Sequence, residues 1–166
     1  LAVIACGPST YSAPCADAIL DYYGYSSVPV GAKITGSGSS DYTQEVRDRF
    51  KAGLDHTDYD DALTVYRTAL ASAANGTVVI VLAGFSTALV ELMDSPADGI
   101  SGMTGMQLIT AKVRRLIIVA GVFPTSATPE FNMASDVPSW IRIMDDWPTS
   151  FESNDIVFAG IEVGFL

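Results

Sequence analysis

Glu130 and Asn132 stand two positions apart in Pro129-Glu130-Phe131-Asn132. On an extended backbone, side chains at i and i+2 point the same way, so one carboxylate and one amide would face a common ligand. The carboxylate accepts hydrogen bonds and the amide both accepts and donates, a pairing suited to the hydroxyls of a sugar. Spacing alone leaves a plainer alternative open, with Glu130 a solvated loop carboxylate and Asn132 the cap of the next helix.

Other polar groupings carry less. Asp55-His56-Thr57 and Asp58-Tyr59-Asp60-Asp61 gather carboxylates around the sole histidine. Acidic residues directly ahead of an apolar-periodic run read as the start of a helix, where they meet its dipole, and His56 reads as solvated. Trp140, Trp147, Tyr22, Tyr23 and Tyr66 fall at helical positions and read as packing, with no site role. Cys6 and Cys15 read as free thiols, since two cysteines define no disulfide framework. Asn75-Gly76-Thr77 has the form of a glycosylation acceptor and reads as a chance match in a turn. Cys6-Gly7-Pro8-Ser9 lacks the glycine spacing that lets a pyrophosphate approach a helix N-terminus, which weakens a generic nucleotide-binding role.

The elements that must position these residues alternate. An apolar run at 1–5 ends in a turn, and Ala13, Ala16, Ile19, Leu20 and Tyr23 then recur at helical spacing. Val28-Pro29-Val30-Gly31 reads as a short extended piece before a polar loop at 35–41. Ala62, Leu63, Val65, Tyr66, Ala69 and Leu70 share a helical face, and Asn75-Gly76 stops that helix. Residues 77–83 form the strongest strand, β-branched and apolar on both faces, as a central parallel strand buried by helices on each side requires. Helices through Ala88–Met93 positions and over 104–112 follow, then a strand at 115–121 and a loop over 124–129. Ser135-Asp136 is expected to cap a helix through Trp140, Ile141, Ile143 and Met144, and 156–159 gives the last strand.

This pattern predicts an α/β fold, a mostly parallel sheet with helices on both faces in a Rossmann-like three-layer arrangement. With 166 residues, 49% of them hydrophobic, one domain over 1–166 is expected. Ligands of such sheets bind beyond the carboxyl ends of the strands. That rule selects 6–10, 83–87 and 121–132, which are expected to converge on one crevice.

Nine basic against nineteen acidic residues give a formal charge of -10, which repels nucleic acid and favours a cation or neutral small molecule. The apolar runs at 78–83 and 116–120 are too short for a bilayer span of about 20 residues. No basic stretch leads into a cleavage site after Leu1, so no signal peptide is expected.

Taken in order, Val79-Ile80-Val81-Leu82-Ala83-Gly84-Phe85-Ser86-Thr87-Ala88-Leu89, Leu116-Ile117-Ile118-Val119-Ala120-Gly121 and Glu130-Phe131-Asn132 resemble the inosine-uridine preferring nucleoside hydrolase family, in its divergent microbial branch. Ala18-Ile19-Leu20-Asp21-Tyr22-Tyr23-Gly24 and Phe158-Ala159-Gly160-Ile161-Glu162-Val163-Gly164 resemble its flanking elements. The resemblance implies hydrolysis of the N-glycosidic bond of a ribonucleoside, in purine and pyrimidine salvage, with a calcium-bound water as nucleophile. It implies that Glu130 binds the ribose 5′-hydroxyl, that Asn132 approaches the hydroxyls nearest the metal, and that the Ala83 carbonyl is a calcium ligand. It also implies that Glu130→Ala and Asn132→Ala would depress cleavage while sparing the fold. A loop such as that around His56 could close over a nucleobase.

The family's aspartate-rich motif after the first strand, and its C-terminal histidine-aspartate pair, have no counterpart here. The chain therefore reads as the central part of a longer nucleoside hydrolase-like domain, inactive alone. The rival reading is a non-catalytic ligand-binding or assembly subunit with the same fold. The expected partner is a small-molecule ribonucleoside, with no nucleic acid and no membrane, and room for a homo-oligomer.

Overall fold

In the computed structural model, residues 1–36, 41–123, 129–149 and 154–165 are described. The fold is α/β, with two three-stranded parallel sheets ordered β1-β2-β3 and β4-β5-β6. The chain forms two compact units, Leu1–Ala69 and Leu70–Leu166.

The first unit contains β1 (Val3–Gly7), α1 (Ser12–Tyr22), β2 (Val30–Ile34), α2 (Asp41–Phe50), a 3-10 turn (His56–Asp58) and β3 (Asp60–Asp61), and α3 (Ala62–Ser72) runs out of it. β1 and β2 pair in parallel from Val3↔Val30 to Gly7↔Ile34. α3 approaches β2 closely because residue 31 is glycine: a Cβ there would lie 2.9 Å from the Ala62 Cα. Lys51, just past α2, bridges Asp17 and Asp21 of α1 at 2.6 and 2.7 Å, and the Tyr59 hydroxyl donates to Asp17 at 2.9 Å. Cys6 and Cys15 are free thiols, and burial pushes the Cys15 thiol up.

Two expectations for this unit need correction. Of the loop expected over 35–41, residues 37–40 lie outside the described residues, and Asp41 already opens α2, a polar helix that no apolar spacing predicts, anchored by buried Thr43, whose hydroxyl lies 2.8 Å from that of Ser9. The acidic segment does not enter a helix directly. Asp55 and Asp58 close a reciprocal cap on the 3-10 turn, and Asp60–Asp61 pairs with β2 before α3 begins at Ala62. Asp61 still caps that helix, accepting the Leu63 N–H at 2.9 Å.

The second unit contains β4 (Val78–Leu82), α4 (Thr87–Asp94), α5 (Gly105–Lys112), β5 (Val113–Val119), α6 (Phe131–Ser135), α7 (Val137–Asp146), β6 (Asp155–Ala159) and a final 3-10 turn (Ile161–Phe165). Leu89, Leu92, Leu108, Ile109, Leu116 and Ile118 are at most 1% exposed and make its core, each contributing roughly 1.5–3 kcal/mol of transfer free energy. Thr104 opens α5 with a capping box to Gln107. Gly105 permits the contact between α4 and α5, since a Cβ there would lie 1.5 Å from the Leu92 carbonyl oxygen.

β4 is apolar on both faces, but its two faces differ in burial. Ile80 and Leu82 are 6% exposed, whereas Val79 is 37% and Val81 61% exposed. β4 stands at the edge of its three-stranded sheet, paired with β5 alone, and not at the centre expected of it. Among the described residues, no helix is long and apolar enough to cross a membrane.

Candidate functional site

β5 ends at Val119, and two residues later Gly121 turns the backbone at φ +87°, a left-handed conformation that favours glycine. Residues 124–128, most of the loop expected after this strand, lie outside the described residues. The chain is described again at Pro129 and enters α6.

The Glu-Phe-Asn segment is not extended. Glu130 is the N-cap residue, at φ −71° and ψ 140°, and Phe131 and Asn132 are already helical. The i, i+2 alignment expected of Glu130 and Asn132 therefore does not arise from a strand. The two side chains still turn to the same place, the carboxyl end of β5. Glu130 Oε1 accepts the Asn132 N–H at 2.9 Å, and Oε2 accepts those of Met133 at 3.1 Å and Gly121 at 3.3 Å. Asn132 Nδ2 donates to the Val119 carbonyl at 3.2 Å. In the plainer sequence alternative Asn132 was the cap; here the cap is Glu130.

Trp140, read from sequence as packing alone, is 4% exposed and also supports this turn: its Nε1 donates to the Asn132 carbonyl at 3.0 Å. The buried ring on α7 thus fixes the residue whose amide reaches β5.

The residues after β4 meet the same region. Gly84, at φ +136°, redirects the chain after exposed Ala83, and Phe85 packs edge-to-face on Phe131 with ring centroids 6.4 Å apart. Thr87 Oγ1 and Ser86 Oγ donate to Asp136 Oδ2 at 2.7 and 3.2 Å. Asp136 was expected to cap α7. It holds the cap position, but its carboxylate makes no cap bond and reaches α4 instead. A composition of two hydroxyls and one carboxylate fifty positions apart gives no sequence signal for this link.

Of the three segments selected from the sequence, 83–87 and 121–132 meet through Phe85 and Phe131, while Ser86 and Thr87 bond Asp136, four residues past the second segment. The third, 6–10, belongs to the first unit, where Ser9 bonds Thr43.

An open groove of about 500 Å³ adjoins the turn, running from Gly121 and Glu130 past Met133 and Trp140 to Met144 and Asp145. Among the described residues, no three His, Cys, Asp or Glu side chains gather as a cation site would need. The Ala83 carbonyl, at the end of β4, therefore has no such cluster of side chains beside it among the described residues. What the arrangement can do is accept hydrogen bonds from a polar ligand at Glu130 beside an apolar surface. Compared with family models, curated proteins and solved structures, the chain has no match.

Proposed function

We propose that the turn between β5 and α6 is the ribose-side subsite of a nucleoside hydrolase, with Glu130 accepting a sugar hydroxyl and Asn132 completing the contact. The observation that carries this reading is the state of the Glu130 carboxylate. Three backbone N–H groups hold it at the carboxyl end of β5, where α/β sheets bind ligands. A carboxylate offers about four acceptor directions, so about one is left for a hydroxyl donor. Such preorganisation lowers the cost of orienting a polyhydroxylated ligand.

In this reading the chain binds and orients the sugar. The aspartates that would activate water, and most of the ligands of the calcium that the resemblance implies, have no counterpart in the sequence given. The test is ribose release from inosine and uridine by the natural protein that carries this chain, with and without a calcium chelator. Chelator-sensitive release that falls by orders of magnitude in Glu130→Ala and in Asn132→Ala is the expected result. Undiminished release in both variants overturns the assignment.

A non-catalytic ligand-binding or assembly role is the second reading, favoured by one observation: Glu130 already serves the fold as the cap of α6. Nucleoside binding without ribose release in the natural protein would select it.

A further inference from the structure

The groove beside the proposed sugar site has a chemistry of its own. Its volume of about 500 Å³ lies within the range of roughly 300–1,000 Å³ typical of small-molecule sites. One wall is a stripe on α7 at Val137, Ile141 and Met144, which are 49%, 55% and 41% exposed. These positions recur at i, i+4 and i+7, and buried Trp140, one turn before Met144, lines the same groove. An apolar occupant would remove this surface from water at a gain of roughly 25 cal/mol per Å². Met133 and Met144 give the lining an adaptable shape.

Charge decides what the occupant carries. Glu130 and Asp145 are the ionisable residues of the described lining, and neither is basic. Glu130 is engaged by three N–H donors at the β5 end of the groove, while Asp145 stands near the end of α7. Arg142, the cation nearest in sequence to Asp145, is turned to Asp94 at 2.7 Å and to Asp146. Asp145 is exposed at the groove, and the chain as a whole carries a formal charge of -10, so an anion is repelled and a cation drawn in.

We propose that this groove binds a small amphipathic amine, its apolar body along Val137, Ile141 and Met144 and its ammonium group at Asp145. The inference does not depend on the nucleoside reading. It is tested by calorimetric titration of the 166-residue chain with 4-phenylbutylamine, neutral 4-phenylbutanol and anionic 4-phenylbutanoate at low salt. The amine is expected to bind about three- to fivefold more tightly than the alcohol, the range of an exposed ion pair, with the carboxylate weakest. Asp145→Asn should abolish the preference for amine over alcohol. Ile141→Ser combined with Met144→Ser should weaken both ligands, with circular dichroism showing the fold retained. Equal binding of amine and alcohol, an amine preference that survives Asp145→Asn, or no binding of any of the three at millimolar concentration would each overturn it.

Discussion

The Glu130 carboxylate accepts the Gly121 N–H at 3.3 Å while capping α6, so one side chain ties the end of β5 to a helix that starts nine residues later. Glu130→Ala removes the acceptor for three backbone N–H groups and is predicted to cost about 1–2 kcal/mol, the range of a lost N-cap. Glu130→Gln keeps one acceptor oxygen and should cost less. Urea denaturation of the two variants checks the order; a Glu130→Ala protein as stable as the parent would contradict it. The expectation that this substitution spares the fold is thus narrowed: the fold persists, with reduced stability.

Asp136 joins α4 to the α6–α7 junction through Thr87 and Ser86. Asp136→Ala and Thr87→Val are each predicted to destabilise by roughly 0.5–1.5 kcal/mol, because each removes a partly buried hydrogen bond between α4 and the α6–α7 junction. The pair should be non-additive, with a coupling of at least about 0.5 kcal/mol in a double-mutant cycle. Additive losses would show that the bond at 2.7 Å contributes nothing.

The elements that sequence reveals best here are those with apolar periodicity and clear punctuation. β4, α5 and α7 follow that rule, with Thr104 opening one helix and Pro138 seated in the first turn of another. α2 gives no such signal because it is a polar helix whose buried contact is Thr43, so no apolar face announces it. α6 has five residues, too few to display a period, and its cap is Glu130, outside the usual set of Ser, Thr, Asp and Asn. Glu130 and Asn132 were therefore legible as candidates by type and by their place after a strand, but the bonds that orient them were not. Those bonds depend on Gly121, Val119 and Trp140, brought together only by the crossover.

Gly105 marks the closest approach in the second unit. Gly105→Ala would place a Cβ 1.5 Å from the Leu92 carbonyl oxygen, a backbone atom that cannot rotate away. The predicted loss is at least about 2 kcal/mol, within the range for overpacked contacts. Thermal unfolding compared with an exposed-site control such as Gly102→Ala, where nothing lies within 4 Å, checks it.

Arg115 and Asp155 pair across β5 and β6 with Nη2 to Oδ2 at 2.8 Å, and the guanidinium holds the Asp155 carboxyl below the usual carboxylate range. A depressed folded value means that the stabilisation is present above the unfolded carboxyl pKa and lost as pH falls through the folded one. Carbon-detected NMR titration of the Asp155 carboxyl should give a midpoint below about 3.9, rising toward that value in Arg115→Ala. An unchanged midpoint in the variant would remove the guanidinium as the cause.

The most direct test of the central claim is an NMR titration of the folded chain with inosine, followed at the Gly121 amide and the Trp140 indole N–H. The first is bonded to Glu130 and the second to the Asn132 carbonyl, so both report on the proposed sugar contacts. Saturable shifts of both signals, absent in Glu130→Ala and Asn132→Ala, are the predicted result. If both signals stay fixed at millimolar inosine while the chain remains folded, the turn between β5 and α6 is not a ribonucleoside site.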